Sequence, residues 1–191
     1  HADARTALLK ALDSQRYFSL LDELDKLLAE PPFTTRAARP AADVLPAAVR
    51  RPYRQVCRRM RRARRAPAGQ PTDEALHEAR KAAKRARYAG EAMAPAVGKK
   101  ASRFAKQMKK VQSVLGDHQD AIIARQAERE LGISAHLAGE NAFSYGLLHG
   151  HDACEAARLK AQGWETWQRA SRPRYRRWMH YPPYGVLANV V

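Results

Sequence analysis

Apolar residues recur along this chain at the three-and-four spacing of helices, and nowhere at the alternating spacing of a half-buried strand. In residues 2–30, Leu8, Leu12, Leu20, Leu21, Leu24, Leu27 and Leu28, with Tyr17 and Phe18, predict one long helix buried in a core. Pro31-Pro32 ends it, and the Pro-, Ala- and Arg-rich residues 31–42 predict a loop. A second helix is expected from about Asp43, or after Pro52, to Ala66, where Pro67, Gly69 and Pro71 turn the chain. A third starts at Thr72-Asp73 and is expected to stop near Pro95, with Gly98 as connector. A fourth runs from Lys99 through Ile122 and Ile123 and is expected to end at Gly132. A fifth spans Glu140 to about Gln162, and Gly163 separates it from a last one, Trp164 to Trp178, whose tryptophans anchor the core. Short connections between long helices predict an all-α fold, an antiparallel helical bundle over residues 1–180, with 181–191 an irregular tail.

Charge sharpens this picture. The 191 residues carry a net charge of +16. Between Arg50 and Lys110 lie twenty Lys and Arg against four acids, Asp73, Glu74, Glu78 and Glu91, and this region accounts for the whole net charge. The excess is therefore confined to three helices and implies a polyanionic partner. Cys57 and Cys154 lie far apart in no metal-ligand spacing, so a disulfide is not expected, and a reducing, cytoplasmic setting fits. No apolar run approaches the ~20 residues that span a bilayer. Residue 1 is His, so the chain is expected to be a piece of something longer.

On a helical wheel His77, Arg80, Lys84, Arg87 and Tyr88 of the third helix share an arc of about 100°, flanked by Lys81 and Arg85. Leu76, Ala79, Ala82, Ala83, Ala86 and Gly90 take the opposite side. Like charges stacked at i, i+3, i+4 and i+7 repel and cost stability unless an anion relieves them. Arg54, Arg58 and Arg61, with Arg51, Arg62 and Arg65, form a similar arc on the second helix. Arg103, Lys106 and Lys110, with Lys99 and the adjacent Lys109, form one on the fourth. Arginine suits phosphate because its planar fork donates two parallel hydrogen bonds. Further along the fourth helix, Asp117 and Asp120 fall on its basic face and are expected to pair with basic residues of neighbouring helices. The competing expectation makes them, with His118, a metal or acid–base site. His118 projects about 100° from Asp117, which weighs against it.

The run Leu76-His77-x-x-Arg80-x-x-x-Lys84-Arg85-x-Arg87-Tyr88, followed by Leu115-Gly116-Asp117-x-x-Asp120, resembles the CHAD family, the conserved histidine α-helical domain. The resemblance implies a domain of two related helical-bundle halves, of which this chain supplies the C-terminal one. It implies binding of inorganic polyphosphate in a basic groove or channel, with no catalysis and no cofactor. By motif match His77, Arg80, Lys84, Arg85, Arg87 and Tyr88 become candidate ligand contacts. The chain holds no second His-Arg motif, so it is expected to pair with an N-terminal half or to form a homodimer. Cytoplasm and polyphosphate granules are the expected locations.

Two other functions fit the charge. A basic helical protein binds nucleic acid non-specifically through phosphate. Only Tyr53 and Tyr88 lie near the basic arcs as stacking aromatics, and base-reading Asn and Gln are few, which favours polyphosphate. A metal-dependent phosphohydrolase needs a denser carboxylate cluster than Asp117 and Asp120 provide.

Overall fold

The computed structural model describes residues 2–180, without the Ala42 and His180 side chains, so the expected irregular tail at 181–191 lies outside it. Every regular element among the described residues is helical. The chain divides into two units, residues 1–40 and 41–191.

In the first unit the expected single helix is two, α1 (Ala2–Leu12) and α2 (Gln15–Ala29). Ser14 causes the break: its backbone is extended and its hydroxyl accepts the Tyr17 N–H at 3.3 Å. A side-chain oxygen that satisfies an orphan N–H starts a new helix. The expected burial also fails. Neither helix has a buried residue within the chain, and Leu8, Phe18, Leu20, Leu27 and Leu28 are exposed. The apolar spacing is that of a packed helix, but two helices alone cannot cover it. A short 3₁₀ turn, Thr35–Ala38, interrupts the expected loop.

The second unit is a bundle of four long helices: α3 (Ala41–Arg65), α4 (Gln70–Val97), α5 (Lys99–Leu137) and α6 (Phe143–Ala170). α3 packs on α4, α4 on α5 and α5 on α6. Tyr53 of α3 meets Trp167 of α6 at 6.2 Å between ring centroids, which closes the circuit. The core is built from the predicted small faces: Ala79, Ala83 and Ala86 of α4 against Val56, Met60, Phe104, Met108 and Val111. Small residues let the backbones approach closely. At Gly90 a Cβ would lie 2.9 Å from Phe104 Cδ1. Two further 3₁₀ turns, Pro173–Tyr175 and Arg177–His180, follow α6. Arg50 holds the second to α3 by donating to the Met179 carbonyl at 2.8 Å.

Three expected helix ends move. α4 runs through Pro95 and stops at Gly98, whose φ of +73° suits glycine. α5 continues through Gly132, which lies close to Tyr145 of α6. Gly163 sits inside α6, which is one helix; a Cβ there would come within 3.0 Å of Leu115 Cδ2. Gly132 and Gly163 serve interhelical approach rather than chain reversal. No helix among the described residues is long and apolar enough to cross a membrane.

Candidate phosphate-binding face

The candidate residues differ in exposure. Arg54, Arg58, Arg61, Lys81, Lys84, Arg85, Tyr88, Arg103, Lys106, Lys109 and Lys110 are exposed or partly exposed, and His77, Arg80 and Arg87 are partly buried. α4 turns its two edges to different neighbours. On the α5 edge, Arg80 lies across Gly116, where a Cβ would sit 3.2 Å from Arg80 Nε. Gly90 and Ala105 meet further along the same interface. That antiparallel register sets Lys84 level with Gln112 and Arg87 level with Lys109. Arg87 stacks on Tyr88 with its guanidinium carbon 4.4 Å from the ring centroid, and Lys84 Nζ lies 5.9 Å from it. Cations over an aromatic face are held by its quadrupole.

On the α3 edge the surroundings differ. Arg58, Arg61, Arg62 and Arg65 line a depression of about 640 Å³ together with Glu74 and Glu78 of α4. Neither Arg80 nor Lys84 contributes to it. Arg54 and Arg58 also line a second depression on α3 itself. The three arcs therefore do not line one depression. Arg80 lies against α5, and Arg58, Arg61, Arg62 and Arg65 gather at the other edge.

Few of these cations are neutralised. Among the described residues, only Lys81 and Arg87 of the candidates form an ion pair, with Glu78 and Glu91. The hydrogen bond from Lys81 holds the Glu78 carboxyl below its usual range. Along α4 and α5, His77 Nδ1, Gln112 Oε1 and Glu128 Oε2 are buried without a hydrogen-bond partner in the protein, and Arg87 Nε has only the Glu91 carboxylate at 3.5 Å. Buried polar groups are normally satisfied, so water or a ligand is the natural partner here.

The expected pairing of Asp117 and Asp120 with cations of neighbouring helices is not made as a direct ion pair. Both are exposed, and neither forms an ion pair within the described residues. They lie on the same exposed strip as Arg103, Lys106 and Lys110, and Asp117 acts electrostatically on Arg158 of α6, helping the Glu155 carboxylate to raise its pKa, without an ion pair within 4 Å. His118 is the buried member of that motif, 1% exposed, with Nε2 3.4 Å from Asp73 Oδ1 of α4. Burial pushes its pKa down, against the pull of Asp73 and with the help of Lys160 and Arg125. This interior pair was missed because His118 and Asp73 are forty-five residues apart and only the α4/α5 packing joins them. His77 lines a mixed-charge cleft of about 920 Å³ with Asp73, Glu78, Gln119, Arg125 and Arg129. No group of three His, Cys, Asp or Glu among the described residues is placed to hold a metal. Cys57 and Cys154 are both free thiols.

The family model of the CHAD domain matches residues 1–129. The chain belongs to the CHAD family. Two relatives, uncharacterized proteins from two strains of Mycobacterium tuberculosis, are each 40% identical to this CHAD chain over 154 residues. The match covers 81% of this chain and 29% of each relative. The chain thus spans less than a third of those longer proteins. No solved structure matches it.

Proposed function

We propose that this CHAD chain binds inorganic polyphosphate along the α4/α5 seam and does not turn it over. The observation that carries this is the crowd of unneutralised cations: Arg80 and Lys84 on α4, and Arg103, Lys106, Lys109 and Lys110 on α5, have no carboxylate partner among the described residues. A linear polyanion satisfies such a strip because it supplies a charge at every repeat and releases counterions on binding. Arg80 and Arg87 bind as guanidinium forks, Lys84 and the α5 lysines as point charges. The Tyr88 hydroxyl and the His77 ring extend the donor set at its two ends. The α3 arginines form a second cationic strip for a longer chain, beyond the acidic edge at Glu74 and Glu78. A second CHAD half, from the longer protein or from another copy, supplies an opposing wall. Cytoplasm and polyphosphate granules are the corresponding locations.

Calorimetric titration with polyphosphates of graded length, at two salt concentrations, tests this. Affinity should rise with chain length and fall with salt. Displacement of long polyphosphate by duplex DNA at equal phosphate concentration would favour the nucleic-acid function instead. Orthophosphate release with Mg²⁺ or Mn²⁺ would restore the hydrolase.

A further inference from the structure

Between α3 and α6, with Thr72 of α4 at its edge, lies a cavity of about 460 Å³ with a different chemistry. Its floor includes Met60 and the partly buried indoles of Trp164 and Trp167, and its rim carries Arg61, Arg64 and Lys160. No carboxylate lines it. None of the three cations forms an ion pair within the described residues, and neither indole N–H donates to a protein acceptor there. The two indoles pack against the core on one side only. The volume falls within the ~300–1,000 Å³ of small-molecule sites, which combine apolar and aromatic walls with a few converging polar groups.

A bare phosphate chain uses the cations and leaves the indole faces bare. A neutral aromatic does the reverse. We infer that this cavity binds a nucleoside polyphosphate, with the base against Trp164 and Trp167 and the phosphates at Arg61, Arg64 and Lys160. Base–aromatic stacking and charge-assisted hydrogen bonds then act on one ligand. The size of the cavity suits one nucleotide rather than a strand. Arg61 belongs also to the α3 strip, but the indoles, Arg64 and Lys160 have no part in the α4/α5 seam, so the cavity is tested separately from binding at that seam.

Intrinsic tryptophan fluorescence of the full chain tests it, with ATP as the probe and inorganic tripolyphosphate as the phosphate-only control. Trp178 is buried and supplies a constant background. ATP should quench saturably, and tripolyphosphate, which can occupy only the cations, should not quench and should displace ATP only at concentrations far above that of the ATP. Trp164→Ala should weaken ATP about fivefold to a hundredfold, the range expected when one base stack is removed. Arg64→Glu, at an exposed position where folding is not at stake, should weaken ATP at least about tenfold with an unchanged melting curve. Absence of saturable quenching, equal displacement by tripolyphosphate, or unchanged ATP affinity in Arg64→Glu would each overturn the inference.

Discussion

Arg80 lies flat against α5 because residue 116 has no side chain: a Cβ on Gly116 would come within 3.2 Å of Arg80 Nε and 3.7 Å of Nη2. The glycine of the Leu115-Gly116-Asp117 motif and the arginine of the His77 motif are thus two halves of one close approach. Adding a methyl group at 116 favours the helix intrinsically by about 1 kcal/mol and displaces a flexible guanidinium rather than backbone. Gly116→Ala should therefore leave thermal stability within about 1 kcal/mol and weaken polyphosphate several-fold. In an Arg80→Ala background the same change should weaken binding no further, because the two substitutions act on one group. Additive effects in a double-mutant cycle measured by calorimetry would show that the guanidinium does not need the glycine.

Gly90 sits in a tighter place, because its neighbours cannot move. A Cβ there meets Phe104 Cδ1 at 2.9 Å and Ala105 Cβ at 3.2 Å, and Phe104 is fully buried between Tyr53 and Trp178. Overpacking a filled core costs about 1–3 kcal/mol. Gly90→Ala should lower stability by that amount in urea denaturation despite the better helix former. Gly90 and Gly116 thus make opposite predictions for the same substitution, distinguished only by what the added carbon touches.

The helical faces were legible in the sequence because small or apolar residues and cations separate cleanly on the wheel, as at Ala79, Ala83 and Ala86 against Lys84 and Tyr88. Fold class followed from the same spacing. What was not legible depends on partners distant in sequence. Gly132 and Gly163 read as breaks, yet each marks a close approach of α5 and α6, and a glycine carries no local sign of which it does. The leucines of α1 and α2 have core spacing, but spacing does not say whether the chain itself supplies the cover. Asp117 and Asp120 fell on the basic strip, and wheel position alone cannot measure the distance to a cation on another helix. Gly116 stood inside a helical motif, and only the packing of α4 on α5 shows that Arg80 is what it touches.

Lys84 and Lys106 separate charge from fold. Both are exposed and unpaired among the described residues, so removing either leaves no buried group stranded. Lys84→Gln and Lys106→Gln should each weaken polyphosphate severalfold at low salt and much less at high salt. The slope of log affinity against log salt should become shallower by about 0.7–0.9 for each phosphate that is no longer neutralised. Thermal stability should stay constant or rise slightly, since one like-charge neighbour is gone. Slopes measured by titration at three or more ionic strengths check this; an unchanged slope in both variants would place the phosphates elsewhere.

The buried pair of His118 and Asp73 gives the bundle a pH dependence whose direction follows from burial. Desolvation lowers the folded-state pKa of His118 below its ordinary 6.5, and the nearby charges of Lys160 and Arg125 act the same way, while Asp73 opposes them. The folded state therefore releases the proton more readily than the unfolded chain. Between the lowered pKa and about 6.5 the unfolded chain binds more protons, so stability falls as pH falls through that window and is fully present above it. The slope from this one group is at most about 1.4 kcal/mol per pH unit. Urea denaturation of the wild type between about pH 7.5 and 5 should show the decline. In His118→Gln, which keeps a polar side chain that does not titrate, the curve should flatten over the same range. An identical slope in the variant would mean that His118 binds its proton equally well in the folded and unfolded states, and would assign the acid sensitivity to other groups.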